Sequence, residues 1–169
     1  MIEFEPLRKD DLPLVRAWLG REHVRRWWRD PIEQSLAEYE HAIDGLDPTD
    51  LYLIVVDGRP LGLIQTYLAA NHADWEEIVQ VGEGVAGVDL LIGEDELAGR
   101  GLGPRILEAF VNDLVFARAG THACIATVEE PNRRSWRAFE KAGFRRVRDV
   151  EEDGRPHRLM RLDRHVRGA

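Results

Sequence analysis

The sequence predicts a mixed α/β fold in a single domain spanning residues 1–169. Strand-like and helical hydrophobic patterns both recur along the chain, and they alternate regularly only in its second half. No internal repeat and no low-complexity linker divides the chain. A chain of 169 residues is also long enough to bury a core without disulfides. These observations favour one mixed domain over two smaller ones.

The first half of the chain predicts one strand, three helices and a β-hairpin. Asp10-Asp11-Leu12-Pro13 combines an N-cap residue with a proline in the first helical turn, and Asp30 is the expected N-cap of the third helix. Asp57-Gly58 is typical of a hairpin turn. The predicted elements are a strand at Ile2–Leu7, helices from Asp10 through Trp18 or Leu19, at Glu22–Trp28 and at Pro31–Ile43, and strands at Leu51–Val56 and Leu61–Ala69.

The second half predicts alternating strands and helices after a polar loop at Asn71–Gly84. Gly143 is typical of a helix C-cap in the left-handed region, and Asp153-Gly154 predicts a final hairpin turn. The predicted elements are strands at Val85–Ile92 and Ala123–Val128, helices at Pro104–Ala117 and Asn132–Ala142, and paired strands at Phe144–Val150 and Arg158–Leu162.

The charge distribution excludes some classes of partner. The chain has 31 acidic and 23 basic side chains, so its formal net charge is -8, and no Lys or Arg lies between Pro60 and Gly99. Such an acidic segment disfavours nucleic acid and attracts cationic ligands, although a solvated acidic loop has the same pattern. The apolar runs are too short to span a membrane, and the N-terminus is unlike a signal peptide. With one cysteine, Cys124, expected in the core, we expect a cytoplasmic protein.

A carboxylate in an apolar strand and a glycine-rich turn are the first candidate functional features. Asp89 interrupts the apolar run Val85–Ile92, and Arg100-Gly101-Leu102-Gly103-Pro104 follows before a predicted helix. Glycines at such a turn let backbone N–H groups converge on a phosphate, to which Arg100 adds a positive charge. An ordinary strand–helix turn has the same pattern, and the spacing fits neither a Walker nor a Rossmann loop.

A second segment favours a ligand-binding role for the glycine turn over an ordinary strand–helix turn. Residues 130–144, EPNRRSWRAFEKAGF, closely resemble the second acyl-CoA motif of the GNAT N-acetyltransferase superfamily. The resemblance implies the GNAT fold, with a central, mostly antiparallel mixed sheet, splayed fourth and fifth strands, and flanking helices. It also implies acetyl-CoA as cofactor, with its pyrophosphate on the glycine turn. The family's usual Gln or Arg at the first position of the turn is Ala98 here.

The resemblance also implies the residues that contact coenzyme A. Backbone N–H groups of the splayed strand, near Leu90 or Leu91, are expected to meet the thioester oxygen. The implied cofactor residues are Leu90, Leu91, Ile92, Arg100, Gly101, Leu102, Gly103, Pro104, Asn132, Ser135 and Phe139. No metal site is expected.

Further segments narrow the resemblance to the aminoglycoside 6′-N-acetyltransferases: HVRRWW from His23, QTY from Gln65, WEE from Trp75 and GVAGVD ending at Asp89. In that family the carboxylate matching Asp89 is the proposed general base. Acetyl transfer needs a neutral amine, so a group must accept the ammonium proton. Acidic and aromatic side chains would hold a cationic sugar. The implied substrate residues are Trp28, Gln65, Tyr67, Trp75, Glu76, Glu77, Asp89 and Asp153, with Glu129 and Glu130 as weaker candidates.

Position 139 departs from the family and keeps other functions open. Phe139 stands where many relatives have a Tyr that is proposed to protonate the departing thiolate, so the acid would be water or another group such as Tyr67. The alternatives are acylation of a hydroxylysine-type amine in siderophore assembly, where His would be expected at position 89, acetylation of a peptide, or a non-catalytic binding module. Monomer and homodimer both remain open.

Overall fold

The computed structural model describes residues 1–97 and 100–165. The strands are β1 (Ile2–Pro6), β2 (Asp50–Val56), β3 (Arg59–Leu68), β4 (Val85–Ile92), β5 (Ala123–Glu129), β6 (Arg145–Glu152) and β7 (Arg155–Asp163). The helices are α1 (Leu12–Leu19), α2 (Glu22–Arg25), α3 (Ile32–Ile43), α4 (Ala73–Val79), α5 (Leu102–Phe110) and α6 (Arg133–Lys141). Within these described ranges, none of the helices has the length and hydropathy needed to cross a lipid bilayer.

The strands form a seven-stranded mixed sheet in the order β1-β2-β3-β4-β5-β7-β6. The pairs β1–β2, β2–β3, β5–β7 and β6–β7 are antiparallel. Strands β4 and β5 are parallel, and their register covers Val85–Gly87 on β4. The predicted mixed α/β class is therefore confirmed.

The chain divides into two compact units, and the first comprises Met1–Tyr67 and Asp89–Leu102. It contains β1 to β3, α1 to α3 and the C-terminal part of β4. Helix α1 buries Val15, Trp18 and Leu19 on one face, as an amphipathic helix does. Trp18 is fully buried and belongs to the same apolar cluster as Leu91 of β4. Strand β4 therefore enters the core of this unit.

The second unit comprises Leu68–Val88 and the chain from Gly103 onward. Its core contains apolar side chains of β5 and β7, together with the buried face of α5. Phe139 of α6 is also buried, and its ring packs edge-to-face against Phe144 with centroids 5.0 Å apart. Cys124 lies buried on β5, as expected from the sequence.

Helix α4 corrects the predicted polar loop at Asn71–Gly84. Trp75 and Val79 lie four residues apart and pack against the apolar cluster of the second unit. The acidic residues in the first turn, Asp74 and Glu76, suit the positive end of the helix dipole. Two apolar residues among acids gave only a weak pattern, and packing of this face stabilises the helix.

Several helix boundaries also differ from the predictions. Pro31, rather than Asp30, is the N-cap of α3, since its missing N–H is not needed there. Helix α2 ends at Arg25, and a turn at Arg26 and Trp27 replaces the predicted helical residues up to Trp28. Helix α5 ends at Phe110, and Val111–Val115 forms a π-helical turn instead of the predicted continuation.

Both Asp-Gly hairpin turns are confirmed. Asp57 and Gly58 have φ values of 49° and 78°, and Asp153 and Gly154 have values of 49° and 73°. Positive φ at both central residues is the conformation that matches the right-handed twist of paired strands. Asp153 therefore has a structural role as a turn residue.

Candidate active site

The carboxylate of Asp89 accepts two hydrogen bonds from neighbouring side chains. Asp89 is half-buried on β4, directly after four buried residues that begin at Val85. Its Oδ2 accepts from Gln65 Nε2 at 3.0 Å and from the Tyr67 hydroxyl at 2.8 Å. Hydrogen bonds donated to a carboxylate stabilise its charged form. The charge in this strand is therefore compensated by two polar contacts.

The periodicity of β3 explains why both donors reach the same oxygen atom. Gln65 and Tyr67 are two residues apart, and side chains at this spacing project from the same face of a strand. The sequence predicted both residues on the substrate side. The structure places their donor groups on Asp89, which sequence reasoning did not predict.

Tyr39 of α3 is affected by the charge of Asp89, and the sequence interpretation missed this residue. Its side chain is buried in the first unit. Burial raises the pKa of the Tyr39 phenol, and the negative charge of Asp89 raises it further. Tyr39 lies three residues after Leu36 on the buried face of α3, and this helical spacing was the available signal.

Two glycines permit close packing around the end of β4 that follows Asp89. A Cβ atom at Gly62 of β3 would lie 2.1 Å from the carbonyl oxygen of Leu91, and one at Gly93 would lie 2.1 Å from the Trp18 ring. A side chain at Gly62 would force the backbones of β3 and β4 apart, and one at Gly93 would displace the buried Trp18 ring. Glycine is therefore required at both positions by proximity.

Polar contacts also fix this end of β4. The N–H of Gly93 donates to the carbonyl of Leu61 at 2.8 Å. The carbonyl of Ile92 accepts from His23 Nε2 at 2.9 Å. His23, on α2, had no predicted role beyond its place in a family motif. These contacts restrict the strand segment that carries Asp89 and the predicted cofactor residues Leu90, Leu91 and Ile92.

The glycine turn has the backbone conformation that its sequence suggests. Gly101 has a φ of 73°, and a Cβ placed there would have no atom within 4 Å, so the space beside it is open. Arg100 is exposed, and α5 begins at Leu102. The sequence predicted Pro104 as the first helical residue, but it is the third. It still lies within the first turn, where the backbone N–H has no partner inside the helix and is not needed. Ala98 lies outside the described residues.

Arg100 and the backbone N–H groups at the start of α5 are donors suited to an anionic group. Within the second unit, a Cβ at Gly103 would be in van der Waals contact with the Cβ of Ala138, at 3.4 Å. Backbone N–H groups in the first turn of α5 have no partner within the helix, and Arg100 adds a charge. The residues present fit the pyrophosphate of coenzyme A.

The second predicted cofactor segment surrounds the start of α6. Asn132 is the N-cap residue but makes no capping hydrogen bond through its side chain. Ser135 is half-buried in the first turn. Phe139 instead packs against Phe144 in the core, so its ring contributes to packing of the second unit.

Trp75 contacts a carboxylate that the sequence interpretation missed. Its Nε1 donates to Glu152 Oε1 at 2.7 Å, and the Thr127 hydroxyl donates to the same oxygen at 2.8 Å. His157 Nε2 lies 3.5 Å from Glu152 Oε2. Glu152 lies two residues after Val150, on the less exposed face of β6, and this alternation was the only signal. The Trp75 ring therefore packs against the apolar cluster of the second unit, and its N–H group makes a polar contact with Glu152.

The other predicted substrate residues have varied surroundings. Glu76 Oε1 accepts from the N–H of Gly82 at 2.7 Å and so closes the turn after α4. Glu77 and Asp153 are exposed. Trp28 is half-buried against the apolar cluster of the first unit. Among the residues that the structure describes, no group of three His, Cys, Asp or Glu side chains could hold a metal ion.

The glutamates considered as weaker candidates already have cationic partners. Glu130 accepts two hydrogen bonds of 2.7 Å from Arg158. Glu129 lies 3.8 Å from Arg155 Nε. Both negative charges are therefore partly neutralised within the protein.

Comparison with known proteins identifies relatives along nearly the full length of the chain. The aminoglycoside N(6')-acetyltransferase type 1 of Klebsiella pneumoniae is 29% identical over 147 residues, which are 83% of this chain and 72% of that protein. A crystal structure of aminoglycoside acetyltransferase AAC(6')-Ib with coenzyme A and kanamycin is 28% identical, with a TM-score of 0.87, over 97% of this chain and 95% of that chain.

A more distant relative is an enzyme that catalyses a different reaction, an O-acetyl transfer. The N(6)-hydroxylysine O-acetyltransferase of Escherichia coli is 23% identical over 162 residues, which are 92% of this chain but 49% of that protein. The acetyltransferase (GNAT) domain family matches residues 8–152, so the resemblance predicted from the sequence is confirmed. The protein therefore belongs to the GNAT acetyltransferase family and is an acyltransferase with the GNAT fold.

Proposed function

We propose that this protein transfers the acetyl group of acetyl-CoA to the 6′-amine of an aminoglycoside, by direct transfer in a ternary complex. The observation that carries the proposal is the half-buried Asp89 carboxylate with its two donors, Gln65 and Tyr67. The similarity to aminoglycoside acetyltransferases, one of which holds coenzyme A and kanamycin in a solved structure, supports the choice of both substrates.

In the proposed mechanism Asp89 is the general base. An aminoglycoside amine is mostly an ammonium at neutral pH and must lose a proton before it can attack a carbonyl. Asp89 accepts that proton, directly or through one water molecule, while Gln65 and Tyr67 hold the carboxylate in position. The amine nitrogen then bonds to the acetyl carbon, the C–S bond breaks, and the thiolate takes up a proton.

Acetyl-CoA supplies the activated acyl group when it is bound. The turn from Arg100 to Gly103 is assigned to its pyrophosphate, and Asn132 and Ser135 are also assigned to coenzyme A. Backbone N–H groups of the segment from Leu90 to Ile92 are assigned to the thioester oxygen, where donors that are already oriented stabilise developing charge.

Water is the proposed acid that protonates the thiolate. Phe139 has no proton to donate and is buried in the core. The Tyr67 hydroxyl, the other candidate, already donates to Asp89. A thiolate is a tolerable leaving group near neutral pH, so a dedicated acid is not required for turnover.

The substrate cation would be held by acidic and aromatic side chains. Trp75 presents an indole for the apolar face of a sugar, and Glu77 and Asp153 are exposed carboxylates. Trp28, Gln65, Tyr67 and Glu76 complete the proposed substrate residues. The Lys- and Arg-free segment from Pro60 to Gly99 adds a negative field that attracts polycations.

The test is an assay of thiol release with purified protein, acetyl-CoA and either kanamycin or tobramycin. We expect thiol release that depends on the aminoglycoside, and mass spectrometry should find one added acetyl group on the 6′-nitrogen. No release with either drug, but release with another amine, would contradict the aminoglycoside assignment while leaving the acyltransferase activity.

A hydroxylated amine is the second candidate, because of the similarity to the hydroxylysine enzyme over most of this chain. The same assay with N6-hydroxylysine tests it, and product analysis distinguishes an O-acetyl from an N-acetyl product. Asp89 in place of the expected His argues against this substrate. Tight ligand binding by calorimetry without any product would favour a non-catalytic module.

A further inference from the structure

We infer that Glu130, Trp136 and Arg158 form a lock, called here the α6 lock, that positions the start of α6 for coenzyme A. The inference rests on the proposed function, since Asn132 and Ser135 are assigned to the cofactor there. The three residues themselves are positioning residues, because they act through the segment that precedes and begins the helix.

The side chains of the α6 lock contact one another in three ways. Arg158 of β7 donates from Nε to Glu130 Oε2 and from Nη2 to Glu130 Oε1, both at 2.7 Å. The Arg158 guanidinium carbon lies 3.8 Å from the centroid of the Trp136 ring. Trp136 Nε1 in turn donates to the backbone carbonyl of Glu130 at 3.0 Å. Each member therefore contacts both of the others.

Backbone hydrogen bonds extend these contacts to the proposed cofactor residues. The N–H of Glu130 donates to the carbonyl of Pro156 on β7 at 3.0 Å, and the N–H of Asn132 donates to the carbonyl of Glu129 at 2.8 Å. Asn132 therefore lies between two fixed points: the lock on one side and the first turn of α6 on the other. Its side chain makes no capping bond that could orient the turn instead.

The geometry of the α6 lock is more demanding than that of an ordinary surface ion pair. A bidentate guanidinium–carboxylate pair fixes both direction and distance, and the same planar group can stack on an indole. Only 15% of the Arg158 side chain is exposed, against 40% for Glu130. The Arg158–Glu130 ion pair is therefore partly exposed to solvent, and isolated ion pairs of this kind add little to the stability of the folded state. Orientation of the segment is therefore its main effect.

A nearby ion pair on the same strand provides a matched control. Arg161 of β7 donates from Nε to Asp163 at 2.9 Å and makes no contact with the segment before α6 among the interactions of the described residues. It has the same residue type, the same strand and a carboxylate partner. Arg161→Lys thus removes a comparable interaction without touching the α6 lock.

The experiment compares Arg158→Lys and Trp136→Leu with wild type and with Arg161→Lys. Arg158→Lys keeps the charge but loses the fork and the planar stack. We expect the KM for acetyl-CoA, and the Kd for coenzyme A measured by calorimetry, to rise about tenfold in both lock variants. Arg158→Lys loses a charged hydrogen bond, and Trp136→Leu loses the stacked ring and the hydrogen bond to the Glu130 carbonyl. The kcat and the KM for the amine should stay within about twofold. Trp136→Phe, which keeps a stacking ring, should have an intermediate effect.

The possible outcomes separate this inference from the proposed function. Unchanged coenzyme A affinity in folded Arg158→Lys and Trp136→Leu overturns the lock, as does an equal loss in Arg161→Lys. Absent turnover in a wild-type protein that binds coenzyme A contradicts the proposed function only, because calorimetry still tests the lock. A wild-type protein that does not bind coenzyme A contradicts both. Thermal unfolding shows whether each variant is folded.

Discussion

The position of the Asp89 carboxylate depends on the side chains that donate to it. One of these donors, Tyr67, can be altered without changing the carboxylate itself. Tyr67→Phe removes the hydroxyl that donates to Asp89 Oδ2 and keeps the ring. We expect kcat to fall about tenfold, because a hydrogen bond to a charged group is lost. An unchanged rate, measured by thiol release, would show that Tyr67 does not position Asp89.

Glu130 provides a second prediction at the scale of one residue. The hydrogen bonds from Arg158 hold the pKa of Glu130 below its ordinary value of 4.5. A lowered pKa in the folded state stabilises the protein above the ordinary value, and this stabilisation is lost as the pH falls through the lowered one. Glu130→Gln should therefore lower the thermal midpoint slightly at about pH 7, and the difference should shrink as the pH falls below 4.5 and through the lowered pKa. A difference that does not change with pH across this range would contradict the pairing.

The sequence revealed Asp89 and the glycine turn, but not the contacts between residues that are far apart in the chain. A carboxylate in an apolar strand is visible without any structure, and so is the glycine turn. His23 contacts the carbonyl of Ile92, and Trp75 contacts Glu152, although both pairs are far apart in the sequence. The charge of Asp89 likewise acts on the distant Tyr39 phenol. No local pattern links such pairs, so only the fold brings them together.

At the scale of elements, the confirmed predictions concern strands and turns whose conformation is specified by residues close together in the sequence. Strand β4 is found at the predicted Val85–Ile92, and both Asp-Gly turns were predictable because positive φ at two central residues is a local requirement. Helix α4 was missed because Trp75 and Val79 are stabilised by contacts with distant strands. The π-helical turn after α5 likewise has no sequence signature of its own.

The contact between α4 and β6 gives a prediction for Trp75. Trp75→Phe keeps an aromatic ring but removes the donor to Glu152 Oε1. We expect the free energy of unfolding to fall by about 1 kcal/mol, as for one buried hydrogen bond. Urea denaturation measures the change. In a Glu152→Ala background, which has no acceptor, the same substitution should cost less, and strictly additive losses would show that the two side chains are not coupled.

At the scale of the whole molecule, charge favours cationic substrates. The formal net charge is -8, and a negative field attracts a polycation over distances that salt shortens. Raising the ionic strength from about 0.05 M to about 0.5 M should therefore raise the KM for kanamycin several-fold. The KM for acetyl-CoA, an anion, should not rise in parallel. A KM for kanamycin that is independent of salt would contradict electrostatic attraction of the substrate.

The proposed role of Asp89 is tested most directly by the pH–rate profile of Asp89→Asn. The substitution keeps the shape of the side chain but removes the group that accepts the proton. Asp95→Asn is the matched control, because Asp95 is an exposed acid that follows the same strand. We expect Asp89→Asn to lose about 10²- to 10⁴-fold in kcat for acetyl-CoA and kanamycin, the usual contribution of general base catalysis, while Asp95→Asn keeps wild-type activity. Full activity of Asp89→Asn from about pH 6 to about pH 9 would contradict the mechanism.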